Sequence, residues 1–348
     1  MLHELGLDLP IIQAPMAGVS TPALAATVSN AGGLGSLGIG ASSVKQARDA
    51  IESVRATTDK PFNVNVFCHE KAQRDACIEA EWIDRLAPLF REFETEPPQH
   101  IDEIYRSFIE DDEALAMLLE TRPAVVSFHF GLPAPERIAA LRAAGIRTMA
   151  TATNVAEAEA IEAAGIDAIV AQGIEAGGHR GMFDPQKADE QLSISVLTRL
   201  LVMRGRLPVV AAGGIMDGQG VRAALNLGAA AAQLGTAFVL CPESSANAAY
   251  RTMLQSERSG ETRLTAVISG RPARGLVNRF MRECDVFGVE PAAYPVAYDV
   301  GKQLHAAAVK HGVEEFGAFW AGQGAPLARE MPAAELLAVL AREAGLRA

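Results

Sequence analysis

Residues 147–172, RTMATATNVAEAEAIEAAGIDAIVAQ, contain the unit from which the fold is built. A short apolar run at each end flanks a helical pattern over 154–164. Asn154 stands where a helix N-cap is preferred, and Gly165 stands where a glycine commonly follows a helix. Apolar runs without alternation are typical of parallel strands that are buried on both faces. The stretch therefore predicts a strand–helix–strand unit of a parallel sheet.

The same alternation continues through most of the chain. The strand candidates are 10–16, 34–38, 62–67, 124–130, 147–151, 167–172, 208–212 and 231–236. The helix candidates between them are 21–31, 43–57, 135–144, 154–164, 193–204 and 217–227, with caps at Thr21, Ser42, Asn154, Ser193 and Asp217. Eight parallel strands separated by helices predict an α/β fold, the (β/α)₈ or TIM barrel.

Two segments break this rhythm. The third crossover is long, acidic and helical in pattern, which predicts a helical insertion after strand 3. After residue 241 the alternation stops, and beyond an eighth helix at 245–258 a mostly helical appendage is predicted. We therefore expect a barrel formed by 1–69 and 122–260, an acidic insertion at 70–121, and a C-terminal helical region on the substrate side at 261–348.

Composition limits the classes of function. The 348 residues carry a formal net charge of −11, which argues against nucleic acid as a partner. Residues 70–120 hold fifteen Asp and Glu against five Lys and Arg, and so contribute most of the excess. A solvated helical surface and an acidic docking face both fit this segment.

The location is expected to be cytoplasmic. Four cysteines, Cys68, Cys77, Cys241 and Cys284, form no CxxC pair, which predicts reduced thiols. The first apolar run lacks a basic flank and is typical of a core strand rather than of a signal peptide. The uncharged stretch 223–241 is interrupted by polar residues and glycines, so no membrane span is predicted.

Residues 171–181, AQGIEAGGHRG, carry the most direct indication of a site. A strand ends here in three glycines with His179 among them. Glycine lets main-chain amides approach a ligand closely, and histidine changes its charge near neutral pH. Because working residues of such barrels follow the C-terminal ends of the strands, this pattern predicts an active site.

Other polar residues fall at the same barrel end. Asn63 and Asn65 interrupt the third strand, His129 lies near the end of the fourth, and Gln172 closes the sixth. Each alone has a plain alternative: Asn65 as a satisfied core amide and His129 as a core histidine. Their coincidence at one barrel mouth favours a functional interpretation.

Glycines after strands seven and eight predict a phosphate site. AAGGI (211–215) and QLGTA (233–237) occupy the loops that usually bind phosphate in this fold. Turn glycines without a ligand are the alternative. The spacing Gly33-x-Gly35-x-x-Gly38 ends a helix and runs through a strand, so it lacks the context of a dinucleotide motif. Seven histidines without metal-ligand spacing predict no metal site, and no GxSxG elbow is present.

Several segments together resemble the nitronate monooxygenase family, formerly called 2-nitropropane dioxygenases. They are PIIQAPMAGVSTPALAATVSNAGGLGSLG (10–38), PFNVNVF (61–67), SFHFGLP (127–133), AQGIEAGGHRG (171–181), AAGGI (211–215) and QLGTAF (233–238). SGRPARGL (269–276), AYPVAYDVGKQL (293–304) and FWAGQG (319–324) resemble its bacterial class I branch. The resemblance covers nearly the whole chain with the motifs in order.

The resemblance implies FMN as cofactor, with no metal and no need for NAD(P)H. It implies that main chain from Ala14 to Met16 lines the flavin, and that Asn65 and Gln172 bond the polar end of its ring. The phosphate would be held by Gly177, Gly213, Gly214, Gln233, Leu234, Gly235 and Thr236. His179 matches the active-site histidine of the family.

Tyr294, Tyr298 and Lys302 match the two tyrosines and the lysine that class I enzymes place near the substrate. Spacings of four put all three on one helix face only if the helix starts at Pro295. Otherwise the Pro/Tyr/Gly-rich piece 291–301 is a loop before a helix at 301–311. Two packing tyrosines and a surface lysine are the plain alternative.

The implied reaction converts an alkyl nitronate and O₂ to a carbonyl product and nitrite through a flavin semiquinone. For the class I substrate, propionate 3-nitronate, Lys302 is the candidate partner of the carboxylate, with His129 or Tyr298 as donors. His179 is either a general base on neutral nitroalkanes or a group that hydrogen-bonds or charge-matches the nitro oxygens. The second role is expected for a class I enzyme.

Three other classes stay open. An NAD(P)H-dependent quinone reductase or enoyl-acyl-carrier-protein reductase would use the same barrel and FMN. Relatives of IMP dehydrogenase carry a cysteine in the loop that here holds His179. A flavin-binding scaffold that docks through its acidic insertion is the non-enzymatic alternative. The partners expected are a small nitronate and O₂, and the oligomeric state, including a homodimer, is left open.

Overall fold

The computed structural model describes residues 5–346 and contains an eight-stranded parallel sheet. Its strands are β1 (Ile11–Gln13), β2 (Gly35–Gly38), β3 (Phe62–Phe67), β4 (Val125–His129), β5 (Arg147–Ala152), β6 (Ala168–Gln172), β8 (Val209–Ala212) and β9 (Ala231–Leu234). The short strand β7 (Gly178–His179) lies in the loop after β6 and belongs to another sheet.

The sheet closes on itself between its first two strands. Its order runs from β1 through β9, β8, β6, β5, β4 and β3 to β2. Ile12 and Leu34 form a parallel bridge, with hydrogen bonds from Gln13 N to Leu34 O and from Leu34 N to Ile11 O, both 3.0 Å. The closed parallel sheet confirms the predicted (β/α)₈ barrel.

Helices follow the strands as predicted. They are α1 (Pro22–Asn30), α2 (Val44–Arg55), α5 (Pro135–Ala143), α6 (Val155–Ala163), α7 (Ile194–Arg204), α8 (Gly218–Asn226) and α9 (Ala248–Gln255). Thr21, Asn154, Ser193 and Asp217 each cap the helix that follows. The prediction of Ser42 as a cap was wrong, because Ser43 accepts from Gln46 N in a reciprocal capping box.

The segment predicted as an insertion and the C-terminal segment share one hydrophobic core. The segment 70–121 contains α3 (Ala76–Glu92) and α4 (Asp112–Thr121), and the C-terminal segment contains α10 (Arg279–Cys284), α11 (Val296–Lys310) and α12 (Ala333–Glu343). Trp82 and Phe90 from α3 pack in one cluster with Phe280 from α10 and with Leu304 from α11. Leu336 and Leu340 of α12 instead pack in the cluster that covers the outside of the barrel beside α1 and α8. The division into barrel, insertion and appendage stays a prediction, and its outermost residues 1–4 and 347–348 lie outside the described part.

Two features of the C-terminal segment differ from the prediction. Strands β10 (Thr262–Thr265) and β11 (Ala273–Leu276) form an antiparallel sheet with β7, which the sequence pattern did not indicate. Helix α11 begins at Val296, five residues before the predicted helix, with Pro295 at its N-cap. Within residues 5–346, no helix is both long and apolar enough to cross a membrane.

Candidate active site

A cleft of about 760 Å³ lies at the barrel end where the parallel strands finish. All the predicted site residues line it except Leu234 and the strand residue Asn63. The residues that do so are Ala14, Met16, Asn65, His129, Gln172, Gly177, His179, Gly213, Gly214, Gln233, Gly235, Thr236, Tyr294, Tyr298 and Lys302. The structure therefore brings together residues from six barrel strands or the loops after them and from helix α11. Among the described residues, no group of three or more His, Cys, Asp or Glu side chains could hold a metal ion.

Two strand residues that were predicted at the site do not line the cleft. Gln233 lines the cleft, but the Leu234 side chain lies in the outer hydrophobic cluster because successive strand residues face opposite ways. Leu234 takes part only through its carbonyl oxygen, which accepts from Ala14 N at 2.8 Å. Asn63 is fully buried, and its Nδ2 donates to Ser36 Oγ at 3.2 Å, so it is a core amide.

Glycines form a cradle of free main-chain donors. Gly213 and Gly214 have φ angles of 131° and 67°, which favour glycine. Outside the helices and strand ladders, no hydrogen bond of the described residues uses the main-chain N–H of Gly177, Gly214, Gly235 or Thr236. Such clustered N–H groups are suited to the oxygens of a phosphate.

The two amide side chains differ in how much of their bonding capacity is used. Asn65 Nδ2 donates to the carbonyl oxygen of Ser127 at 3.1 Å and to its Oγ at 3.0 Å. Gln172 Nε2 donates to the His179 carbonyl oxygen at 3.0 Å, and its Oε1 accepts from Gly181 N at 2.8 Å. The structure thus uses Gln172 to hold the loop that carries His179, and its bond to a flavin ring stays a prediction.

His129 is held at both ring nitrogens. Its Nε2 lies 3.2 Å from the His179 carbonyl oxygen and its Nδ1 lies 3.0 Å from Thr151 Oγ1. Because a carbonyl only accepts, Nε2 carries the proton and Nδ1 accepts from the threonine. Burial lowers the pKa of His129 to about 4. Both ring nitrogens of His129 are thus bonded within the protein although the residue lines the cleft, and its donation to a substrate carboxylate stays a prediction.

His179 sits on β7 inside a ring of aromatic side chains. Its imidazole centroid is 5.6 Å from that of Phe130, 5.3 Å from Tyr294 and 5.2 Å from Trp320. Burial lowers the pKa of His179 to about 3, and the positive charge of Arg271 acts in the same direction. The imidazole is therefore neutral at physiological pH, and the expected charge-matching to nitro oxygens is not supported.

The loop that carries His179 is anchored by a buried ion pair. Arg180 donates from Nε to Asp189 Oδ2 at 2.7 Å and from Nη2 to Asp189 Oδ1 at 3.0 Å. Arg180 Nη1 also donates to the carbonyl oxygens of Gln172 and Gly173, each at 3.0 Å. The bidentate pair with Asp189 and the bonds to the two carbonyl oxygens fix the loop against the end of β6.

Lys302 lies among tyrosine rings. Its Nζ is 4.8 Å from the ring centroid of Tyr105 and 5.1 Å from that of Tyr298. Burial lowers the pKa of Lys302, against the opposing effect of Asp299. Tyr105 comes from the 70–121 segment, and nothing in the sequence distinguished it from the other aromatic residues of that acidic segment as part of the site.

Two of the three residues that were predicted to share one helix face do so. Tyr298 and Lys302 are four residues apart on α11 and share a face, while Tyr294 precedes the helix. Tyr294 nonetheless lines the cleft, with its ring centroid 5.1 Å from that of His69. Phe130, Tyr250 and Trp320 also line the cleft and were not predicted as site residues.

A closed (β/α)₈ barrel that carries a donor cradle and a partly buried histidine in one cleft has the features of a barrel enzyme. The sequence model of the nitronate monooxygenase family matches residues 1–343. A nitronate monooxygenase of Pseudomonas aeruginosa is 59% identical over 340 residues, which cover 97% of each chain. A second, from Paraburkholderia phytofirmans, is 59% identical over 344 residues, covering 99% of this chain and 94% of the relative. The chain therefore belongs to the nitronate monooxygenase family and is an oxidoreductase.

Solved structures agree with this assignment. A nitroalkane oxidase from Streptomyces ansochromogenes superposes with a TM-score of 0.90 at 43% identity, covering 99% of this chain and 97% of that one. FabK from Thermotoga maritima is more distant, with a TM-score of 0.74 at 30% identity and coverage of 99% and 95%.

Proposed function

We propose that this protein is an FMN-dependent enzyme that oxidises alkyl nitronates with O₂ to a carbonyl product and nitrite. The observation that carries the proposal is one cleft that has a cradle of main-chain donors in one part of its wall. In another part, His179 and Lys302 both lie near the ring of Tyr298. The preferred substrate is propionate 3-nitronate, a small dianion.

The cleft fits FMN by its size and by its donors. A volume of about 760 Å³ lies within the range of cofactor sites. Gly177, Gly214, Gly235 and Thr236 would hold the phosphate, and Asn65 would face the polar part of the ring. When bound, FMN supplies electron transfer between the nitronate and O₂, which the side chains of this cleft do not provide.

The residues of the chain bind and orient the substrate. The ammonium group of Lys302, between the rings of Tyr105 and Tyr298, offers a positive charge to the carboxylate of the substrate. The rings of Phe130 and Trp320 form an apolar wall beside His179, while Lys302 lies on the exposed side of the cleft, where a charged substrate would enter. The neutral imidazole of His179 can accept a proton from carbon when the nitro compound arrives uncharged.

Anaerobic mixing tests the proposal against a reductase. The second candidate is the NAD(P)H-dependent enoyl-acyl-carrier-protein reductase that the sequence leaves open, since a solved enoyl reductase domain of MlnA has the same fold, with a TM-score of 0.65 at 12% identity. We expect propionate 3-nitronate to reduce the visible flavin absorbance within the enzyme's turnover time and NADH to leave it nearly unchanged. Rapid bleaching by NADH with no response to the nitronate would favour the reductase.

Lys302→Met should raise KM for propionate 3-nitronate by about ten- to a hundredfold, since one lost charge contact of 1.4–3 kcal/mol corresponds to such a factor. KM for an uncharged nitronate such as ethyl nitronate should change by less than about threefold. Lys310→Met, on the exposed end of the same helix, is the matched control. Equal changes for both substrates would remove Lys302 from carboxylate recognition.

The proposal assigns a small nitronate and O₂ as partners and leaves out nucleic acid and membranes, as the composition predicts. The cytoplasm would keep Cys68, Cys77, Cys241 and Cys284 reduced, and all four are free thiols in the structure. A homodimer stays a prediction.

A further inference from the structure

We infer that Ser269 is a positioning residue that fixes the tautomer of His179, so that Nδ1 offers a lone pair to the substrate. Ser269 belongs to the C-terminal segment. Its side chain is fully buried and does not line the cleft. His179 Nε2 lies 2.9 Å from Ser269 Oγ. This inference rests on the proposed function and adds the residue that decides what His179 can do there.

The position of the serine proton follows from its second contact. Ser269 Oγ lies 3.1 Å from the carbonyl oxygen of Arg271, which can only accept a hydrogen bond. The single hydroxyl proton is therefore used on that carbonyl. The bond to His179 must then use a proton on Nε2, and the neutral imidazole has its lone pair on Nδ1.

The other ring nitrogen is open to the cleft. Within residues 5–346, His179 Nδ1 has no hydrogen-bond partner, and it is not among the buried unpartnered atoms. His179 lines the cleft, so Nδ1 is the atom that a ligand meets.

Both sides of the Ser269–His179 contact are held by backbone structure. Gly270 has a φ of 85°, and a Cβ there would lie 2.3 Å from the Ala292 carbonyl oxygen, so the turn after Ser269 accepts only glycine. On the other side, the His179 carbonyl oxygen accepts from Gln172 Nε2 at 3.0 Å and lies 3.2 Å from His129 Nε2. Neither partner can move away without breaking several contacts.

This tautomer gives His179 a definite chemical preference. An unprotonated Nδ1 accepts a proton but cannot donate a hydrogen bond to the oxygens of a nitronate. With a neutral nitroalkane, the Cα–H bond breaks, the proton forms a bond with Nδ1, and the electron pair moves onto the nitro group as the nitronate. Ser269 therefore equips the site to generate its own nitronate.

Nitrogen-15 NMR of histidine-labelled, FMN-loaded protein tests the inference, with the His179 signals assigned by their loss in His179→Asn. We expect the Nε2–H tautomer in the unchanged protein and a mixture of tautomers in Ser269→Ala. The turnover of nitroethane should fall at least about tenfold in Ser269→Ala, because the partner that sets a catalytic histidine's tautomer is worth up to ~10⁴ in rate. The turnover of ethyl nitronate should change less than about twofold.

Ser269→Thr keeps the hydroxyl and should restore both the tautomer and most of the nitroethane turnover. Ser29→Ala removes another buried serine hydroxyl, bonded to the Pro61 carbonyl oxygen at 2.9 Å, and controls for loss of stability. A proton on Nδ1 in the unchanged protein would overturn the inference even if Ser269→Ala fails to fold. Failure of the proposed function would show separately, as no turnover of ethyl nitronate by any variant.

Discussion

His179→Asn should lower kcat/KM for a neutral nitroalkane by ~10²–10⁴, the range that a positioned general base contributes. For the corresponding preformed nitronate the loss should stay below about tenfold, because no proton has to leave carbon. The reason is geometric: Ser269 Oγ occupies Nε2 of His179, which leaves Nδ1 of the imidazole facing the cleft as the proton acceptor.

The measurement is the rate of oxygen uptake with nitroethane and with ethyl nitronate at one pH. His100→Asn, a histidine on an exposed loop, is the control for a general effect of the substitution. Equal losses on the two substrates would contradict the base role and would point to a binding role for His179.

The protein should lose much of its stability between pH 7 and pH 5. Burial lowers the pKa of His69 and His129 to about 4 and that of His179 to about 3, from an ordinary value of 6.5. As the pH falls below 6.5, the unfolded chain binds protons at these positions and the folded protein does not, so the free energy of unfolding falls. At pH 5 the loss is on the order of 2 kcal/mol for each histidine.

Three such losses approach the total stability of a typical domain, about 5–15 kcal/mol. Urea unfolding at pH 7.5, 6 and 5 with a fixed FMN concentration measures the effect. Between pH 7.5 and 5 the unfolded chain titrates its histidines, whereas carboxylates titrate at lower pH. Glu315, for example, has its pKa lowered from 4.5 by its hydrogen bonds to Arg258, so it titrates below this range. His69→Gln should flatten the pH dependence and His100→Gln should not. A free energy of unfolding that stays constant from pH 7.5 to 5 would contradict the buried neutral state of these side chains.

The barrel could be predicted because each of its units is encoded locally. Asn154 and Asp217 accept from main-chain nitrogens of the helices they precede, as their position before an apolar pattern indicates. The cradle of main-chain donors could also be predicted from local sequence. The backbone conformations at Gly213 and Gly214 favour glycine, so glycines after the strands indicate where the cradle lies.

The rest of the site depends on contacts between distant segments. Tyr105 reaches Lys302 across nearly two hundred residues, and no local pattern distinguishes it from a surface aromatic. The antiparallel sheet includes β7, which is two residues long and so has no periodicity to detect. Ser269 shows its role only through the proximity of its hydroxyl to His179 Nε2.

The start of α11 could not be predicted for a different reason. Pro295 and the neighbouring tyrosines and glycine make 291–301 typical of a loop, yet the helix begins at Val296. Val296, Val300 and Leu304 are buried together against α3, and this tertiary packing outweighs the local preference. Lys302, the proposed partner of the substrate carboxylate, is therefore held by a helix anchored on the acidic segment.

The most direct test of the account is oxygen uptake by the purified, FMN-loaded protein on addition of propionate 3-nitronate, with nitrite measured in the same sample. We predict a yellow protein that consumes O₂ at once and releases nitrite, with no NAD(P)H present. A colourless protein that takes up no FMN, or a yellow one that consumes no O₂ with this nitronate, would contradict the central claim.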